Sequence, residues 1–253
     1  MERLEAYVIK DELNIQNDRR RLLKTRDGRK FVAKNTLCPK ISGERNPTWL
    51  VNEIVYWKFA CLFEVRIPHA ALLTVNHEEY FGSKFVPTRS RVCNSNELKQ
   101  LTDRIPENLT QLTRALLLDL ALLNSDRELW NVLLDAVDCR LWFIDHDKSL
   151  WGDGQTPPGD LGRIDPDILG QKFTDYIGDY LPSPEANALV WNKTNWPSVL
   201  QELKSLYFDI ANFRAARADV PESWLTPLNW KRMEDFYPVS GISCIRSLMD
   251  HVL

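Results

Sequence analysis

The sequence lacks the cysteine and histidine spacings that build disulfide frameworks or zinc sites. Its five cysteines are odd in number and scattered, and none forms a C-x-x-C motif. The four histidines also show no metal-ligand spacing. We therefore expect free, buried thiols in a reducing compartment.

The sequence also has no basic excess and no long apolar run. Its net charge of −3 argues against a nucleic-acid-binding surface. The longest apolar stretch, 115–123, contains Asp119 and is too short to span a bilayer. The charged N-terminal segment lacks the apolar region of a signal peptide, and no polybasic tail or basic amphipathic helix follows it. We expect a cytoplasmic protein with no direct nucleic-acid partner and no membrane partner.

The chain of 253 residues can bury a large core, as one domain or as two lobes. Alternating patterns and turn signals predict strands in the first third, and one long apolar segment predicts a helix that begins near Asn46 and Pro47. The predicted strands are 4–9, 21–25, 30–34, 71–75 and 80–86, and 87–96 is predicted to be a connector. The rest is predicted to be mainly helical, at 97–104, 109–123, 168–180, 185–192, 197–216, 227–236 and from 241 onwards.

This order predicts an α+β fold with two lobes. Residues 1–88 would form a small antiparallel sheet with one main helix, and residues 89–253 a larger, mostly helical lobe.

The segment NSDRELWNVLLDAVDCRLWFIDHD indicates a chemistry. Its two apolar stretches predict a hairpin whose open ends, Asn131 and Asp145, lie side by side. Asp126 precedes Asn131 with the spacing D-x-x-x-x-N. Phosphoryl transfer from ATP needs one carboxylate for the attacking hydroxyl, and an amide and a second carboxylate for Mg²⁺. We therefore interpret Asp126 as the base and Asn131 with Asp145 as metal ligands.

Each of these residues also has an ordinary structural explanation. Asp126 could be a turn former or a helix cap, and Asp145 a simple strand-end residue. Asp147 could add a second carboxylate to the metal site, whereas His146 is interpreted as a structural residue of the loop.

Lys34 and Glu53 form a second predicted pair. A lysine on a buried strand needs a carboxylate partner, and Glu53 interrupts an apolar face of the predicted helix. In kinases a strand lysine binds the α- and β-phosphates and a helix glutamate orients it. The alternative is that both side chains reach water.

Glycine is absent where a kinase would use it. The loop DELNIQND between the first two strands offers no glycine for a phosphate-binding turn. Basic residues follow it, and they either attract the nucleotide or form the solvated face of a hairpin: Arg19, Arg20, Arg21, Lys24, Arg26, Arg29 and Lys30. For the adenine, backbone groups near Phe85 and Val86 are the candidates.

The motifs NSDRELWN and FIDHDKSLW resemble the D-R-x-x-x-N and I-D-H elements of the HipA-like kinases, an atypical group related to phosphatidylinositol kinases. FVAK, LVNEI and VPESWL resemble further family segments in order and spacing. The resemblance implies a bilobal kinase fold, use of ATP and Mg²⁺, and phosphorylation of Ser/Thr hydroxyls in an unidentified protein substrate, with self-phosphorylation included. The sequence departs from the family pattern at Asp147, where the family often has a small residue.

Two other classes of function stay open. A lipid or small-molecule phosphotransferase is one, although Asn124 stands where the aminoglycoside type carries histidine. The other is a pseudokinase that binds a nucleotide or a partner without turnover, which the glycine-poor loop favours.

Overall fold

The computed structural model describes residues 1–10, 20–36, 47–92, 95–122, 124, 131–147, 149 and 210–225. Within these ranges lie eight strands, four α-helices and a short 3-10 helix at Glu222–Trp224. The strands are β1 (Glu2–Lys10), β2 (Arg21–Thr25), β3 (Lys30–Lys34), β4 (Ala70–Val75), β5 (Glu78–Lys84), β6 (Thr88–Arg91), β7 (Val132–Asp135) and β8 (Leu141–Phe143). The helices are α1 (Thr48–Leu62), α2 (Ser95–Arg104), α3 (Pro106–Ala121) and α4 (Ile210–Arg217).

The first five strands close into a barrel in the order β1-β2-β3-β5-β4. Four of the five pairings are antiparallel, but β1 lies parallel to β4, with Glu2 opposite Ala71 and Leu4 opposite Leu73. The expectation of an antiparallel sheet therefore holds for four pairings and fails for the pairing of β1 with β4. A local pattern predicts each strand, whereas closure depends on a pairing between segments far apart in the sequence.

Alternation along β3 separates the barrel interior from the opposite face of the sheet. Phe31 and Ala33 are buried inside the barrel with Leu23, Leu73 and Tyr80. Because successive strand residues point to opposite faces, the other three residues of β3, at positions 30, 32 and 34, lie on the outer face.

Helix α1 lies in the main hydrophobic core. Its residues are buried on almost every side, as expected for a helix without a single apolar stripe. The same core cluster includes residues of α3, the β7–β8 hairpin and α4, such as Leu118, Phe143 and Phe213. Phe213 packs on Phe59 of α1, with ring centroids 4.7 Å apart.

A second sheet has the order β6-β7-β8. The predicted β7–β8 hairpin is present, with Val132 opposite Phe143 and the turn between them. Strand β6 lies where we predicted a connector. Its sequence TRSR shows no apolar alternation, so the strand is defined by backbone pairing to β7.

Several predictions fall outside the described residues. These are the cap Asn46, the helices at 168–180, 185–192, 227–236 and beyond 241, and most of the helix at 197–216. Among the residues that the structure describes, no helix has the length and apolar character needed to cross a bilayer.

Candidate active site

Lys34 forms the centre of the candidate site. Its ammonium donates to Glu53 Oε1 at 2.7 Å, Asp145 Oδ1 at 2.6 Å and Asp147 Oδ2 at 3.1 Å. The predicted Lys34–Glu53 pair is therefore present, and both aspartates of the I-D-H-D segment join it. β3, α1 and the loop after β8 each contribute to this cluster.

Arg20 is the second cation of the cluster. It lies immediately before β2, and its Nη2 donates to Asp145 Oδ2 at 2.7 Å. Each carboxylate oxygen of Asp145 thus accepts from a different cation, Lys34 or Arg20.

These contacts determine the ionisation of the cluster. Burial opposes the charge of Lys34, but Asp145, Asp147 and Glu53 outweigh it and raise the lysine pKa well above its ordinary value. For Glu53, burial raises the pKa above its ordinary value, although Lys34 beside it acts in the opposite direction. For Asp145 burial acts in the same direction, but Lys34 and Arg20 outweigh it and hold the pKa of Asp145 well below its usual range. Lys34 is thus charged, and Asp145 is ionised, at neutral pH.

The loop that carries Asp145 is attached to α1 at three points. The backbone N–H of His146 donates to Glu53 Oε2 at 3.2 Å, and Asn52 Nδ2 donates to the Asp147 carbonyl at 2.8 Å. The ring of His146 stacks on Tyr56, with centroids 3.7 Å apart and an interplanar angle of 5°. His146 is 4 % exposed, so its interpretation as a structural residue agrees with its position.

The α1 contacts continue towards the predicted catalytic loop. The Tyr56 hydroxyl donates to Asp119 Oδ1 at 2.8 Å, and Asn124 Nδ2 donates to the same oxygen at 2.6 Å. Asp119 and Asn124 are both buried. The His146–Tyr56 stack and these two hydrogen bonds therefore link the loop after β8 to Asn124, two positions before Asp126.

Asn131 lies opposite Ile144, the residue that precedes Asp145, at the open end of the hairpin. Its carbonyl accepts from the Ile144 N–H at 3.0 Å, next to the Val132–Phe143 pair. Asn131 is 3 % exposed. Asp126, the predicted base, lies outside the described residues.

A cleft of about 260 Å³ opens beside the ionic cluster. Arg20, Lys34, Glu53 and Asp145 belong to its wall. The rest of the wall is largely apolar and includes Val32, Trp57, Ile67, Phe81, Phe85, Val86, Leu133 and Phe143. A mainly apolar cleft with a few convergent charges is typical of a small-molecule site.

The predicted adenine-binding segment lies at this cleft, with one restriction. The Phe85 N–H already donates to the Lys30 carbonyl at 2.8 Å, and Pro87 has no N–H. Phe85 can therefore offer its ring or its carbonyl, and the Val86 amide is the candidate donor of the segment.

The donor set suits a hard divalent cation. One carboxylate oxygen each from Glu53, Asp145 and Asp147 lies within 4.8 Å of the others. Mg²⁺ and Ca²⁺ prefer such oxygen ligands. Asn131 and Asp145 were predicted as the metal ligands, with Asp147 as a further candidate. The group of carboxylates contains Asp145 and Asp147 and adds Glu53.

Some site residues were missed from the sequence. Arg20 is one of seven basic residues between positions 19 and 30, and no local sequence signal distinguishes it from the other six. Asn52 and Tyr56 sit within an apolar helix, where a polar side chain is the only available signal.

The sequence matches no protein-family model and no curated protein. Among solved structures, it is similar to the proinflammatory kinase CtkA of Helicobacter pylori, with a TM-score of 0.60, 13% identity and coverage of 99% of this chain and 98% of that one. The chain has a kinase-like fold.

A fragment of LepB from Legionella pneumophila matches this kinase-like fold with a TM-score of 0.56 and 13% identity, over 92% of this chain and 46% of that one. At these identities the similarity concerns the fold alone. The PknI kinase domain of Mycobacterium tuberculosis aligns with a TM-score of only 0.34, at 16% identity over 71% of this chain and 75% of that one. This weak similarity adds nothing to the fold assignment.

Proposed function

We propose that the protein is an ATP- and Mg²⁺-dependent kinase that transfers the γ-phosphoryl group to a Ser/Thr hydroxyl of a protein. The observation that carries this proposal is the Lys34 ammonium, which bridges Glu53 of α1 and Asp145 after β8 in the wall of a cleft. A kinase needs this set to bind and orient the phosphates.

In the proposed reaction Lys34 binds the α- and β-phosphates, and Glu53 orients its ammonium. The apolar wall, with Phe85 and Val86, receives the adenine. Asn131 and Asp145 would hold Mg²⁺, which neutralises phosphate charge when it is bound. Asp126 accepts the proton of the acceptor hydroxyl. The hydroxyl oxygen bonds to the γ-phosphorus while the bond from that phosphorus to ADP breaks and ADP leaves.

We assign the chain to the HipA-like kinases within this proposal. The support is the D-R-x-x-x-N segment at Asp126 and the I-D-H segment at Asp145. We also keep the division into lobes at 1–88 and 89–253. In its support, the barrel and α1 come from the first part, whereas the hairpin, α2 and α3 come from the second, and β6 lies across the boundary.

The test is an Asp126→Asn variant incubated with Mg²⁺ and ATP. Removing a general base costs roughly 10²–10⁴ in rate. We therefore expect loss of phosphate incorporation, measured by intact mass spectrometry for self-phosphorylation and by radiolabelled ATP for protein acceptors. ATP affinity, measured by calorimetry, should stay close to that of the wild type.

Asp138→Asn is the matched control, because Asp138 lies in the exposed turn of the hairpin. It should transfer phosphate at the wild-type rate. Unchanged turnover in Asp126→Asn would remove the proposed base.

A pseudokinase is the second candidate, and one observation favours it. Both oxygens of Asp145 accept from cations, which compete with a metal ion for that carboxylate. Nucleotide binding without any phosphate transfer, in the wild type and in Asp126→Asn alike, would support this reading.

A further inference from the structure

Arg20, immediately before β2, lies in the cleft rather than on the hairpin surface. Its guanidinium is part of the cleft wall, and its side chain is only 11% exposed. It is therefore not one of the solvated charges on the hairpin surface. By contrast, Arg26 lies in the exposed turn between β2 and β3 and does not belong to that wall.

The contact between Arg20 and Asp145 is incompatible with full use of that carboxylate by a metal ion. The Nη2–Oδ2 distance is 2.7 Å, and Lys34 takes the other oxygen at 2.6 Å. A divalent cation needs carboxylate oxygens as ligands and repels a guanidinium at such distances. When a cation binds Asp145, the Nη2 group of Arg20 therefore loses this acceptor and can donate to another anion in the cleft.

The sequence between β1 and β2 shows what that anion would be. A glycine-rich loop binds phosphates through backbone N–H groups, and 11–18 contains no glycine. A guanidinium supplies five N–H donors in a planar fork that matches phosphate oxygens. Arg20 lies two positions after this segment and belongs to the wall of the same cleft as Lys34.

We infer that Arg20 is a phosphate-binding residue of the nucleotide site, which exchanges its contact with Asp145 for the polyphosphate of ATP. It thereby replaces the backbone donors of a glycine-rich loop. This inference rests on the proposed function, because it needs a nucleotide in the cleft.

The exchange predicts opposite effects on two ligands. In Arg20→Gln the guanidinium no longer competes for Asp145, so Mn²⁺ alone, used as a spectroscopic substitute for Mg²⁺, should bind more tightly. ATP and ADP should bind roughly 10- to 100-fold more weakly, because a charge-assisted hydrogen bond to phosphate is lost. Adenosine carries no phosphate, so its affinity should not change.

The measurements are calorimetric titration with ATP, ADP and adenosine, and electron paramagnetic resonance titration with Mn²⁺. Arg26→Gln removes the same charge from the exposed turn and should leave all four affinities unchanged. Arg20→Lys keeps the charge without the fork and should lose several-fold in ATP affinity. It also tests the inference if Arg20→Gln does not fold.

Wild-type ATP affinity in the Arg20 variants, with adenosine binding intact, would overturn the role of Arg20 and leave the kinase proposal standing. A wild-type protein that binds neither ATP nor adenosine would overturn both. Equal weakening of ATP and adenosine in Arg20→Gln would assign Arg20 to the shape of the cleft and would likewise overturn the inference.

Discussion

Asp145 combines an unusual backbone with an unusual charge environment. Its φ of 64° lies in the left-handed region, which aspartate tolerates better than most residues. Backbone conformations of this kind persist where surrounding contacts determine them, and they cluster at functional sites. Here the contacts are the two cations and the attachment of the next residue, His146, to α1.

The charge of Asp145 should contribute to stability in a pH-dependent way. The ion pairs with Lys34 and Arg20 hold its pKa below the ordinary value despite burial. A carboxylate of this kind stabilises the fold above its unfolded-state pKa, near 4, and loses that contribution as the pH falls further. Asp145→Asn should therefore be less stable than the wild type by roughly 3–5 kcal/mol at pH 7.

Urea denaturation at pH 7 and at several values below about pH 4 measures this difference. The gap between wild type and Asp145→Asn should narrow on the acid side. Asp138→Asn is the control and should change stability by less than about 0.5 kcal/mol at pH 7. A gap that stays constant from neutral to acid pH would contradict the ion-pair account.

At the scale of elements, α1 attaches the loop that carries Asp145 and Asp147 to the core. Asn52 and Glu53 bind backbone groups of Asp147 and His146, and Tyr56 stacks on the imidazole. Because α1 is buried on almost every side, it cannot rotate without disturbing the core. The helix therefore determines where Asp145 and Asp147 lie.

Asn52→Ala tests this attachment. The change leaves the Asp147 carbonyl without its amide donor, which costs about 1–3 kcal/mol in a buried site. Because the loop is then less well positioned, we expect weaker binding of Mn²⁺ and of Mg·ATP but unchanged binding of adenosine. Calorimetry with each ligand, beside urea denaturation, separates the two effects.

Gln111→Ala provides the matched control. Gln111 is also a buried amide, and it donates to the Glu64 carbonyl at 3.0 Å, near the other end of α1. It should lose comparable stability without a change in Mn²⁺ affinity. An equal loss of metal binding in both variants would show that α1 acts only through general stability.

The elements themselves differ in how well the sequence predicts them. The bounds of β2 and β3 agree with the prediction, since Asp27 and Gly28 mark the turn, and Gly28 has a φ of 88°. The hairpin and α3 also follow from local patterns. Barrel closure through β1 and β4 and the strand β6 depend on partners far away in sequence, so no local pattern announces them.

The site follows the same division. The Lys34–Glu53 pair was predictable because a charge on a buried element needs a partner. The pairing of Asn131 with Ile144, the residue before Asp145, followed from hairpin geometry. Arg20 could not be singled out, because its importance depends on how the chain before β2 meets the loop after β8.

At the scale of the molecule, the site lies between two hydrophobic cores. The main core includes residues of α1, α3, the hairpin and α4, among them Ile54, Leu118, Leu141 and Phe213, whereas the buried residues of β3 belong to the barrel core. A ligand that contacts both Lys34 on β3 and Asp145 after β8 would connect elements of the two cores. Ligand binding should therefore raise the temperature of global unfolding rather than that of one segment.

Mg·ATP at about 100 times its Kd should add about 2.7 kcal/mol, which corresponds to a rise in Tm of roughly 5–10 °C for a chain of this size. Adenosine at the same concentration should give a smaller rise in Tm, because it lacks the phosphates that bind Lys34 and therefore binds more weakly. In the wild type, EDTA should abolish the part of the ATP-induced rise in Tm that depends on Mg²⁺. In Asp145→Asn this Mg²⁺-dependent part should be absent, whereas the rise in Tm with adenosine should persist. Differential scanning calorimetry measures all three. If inorganic tripolyphosphate raised Tm as much as ATP in the presence of Mg²⁺, the apolar wall of the cleft would have no part in binding, and the site would be an anion-binding cluster rather than a nucleotide site.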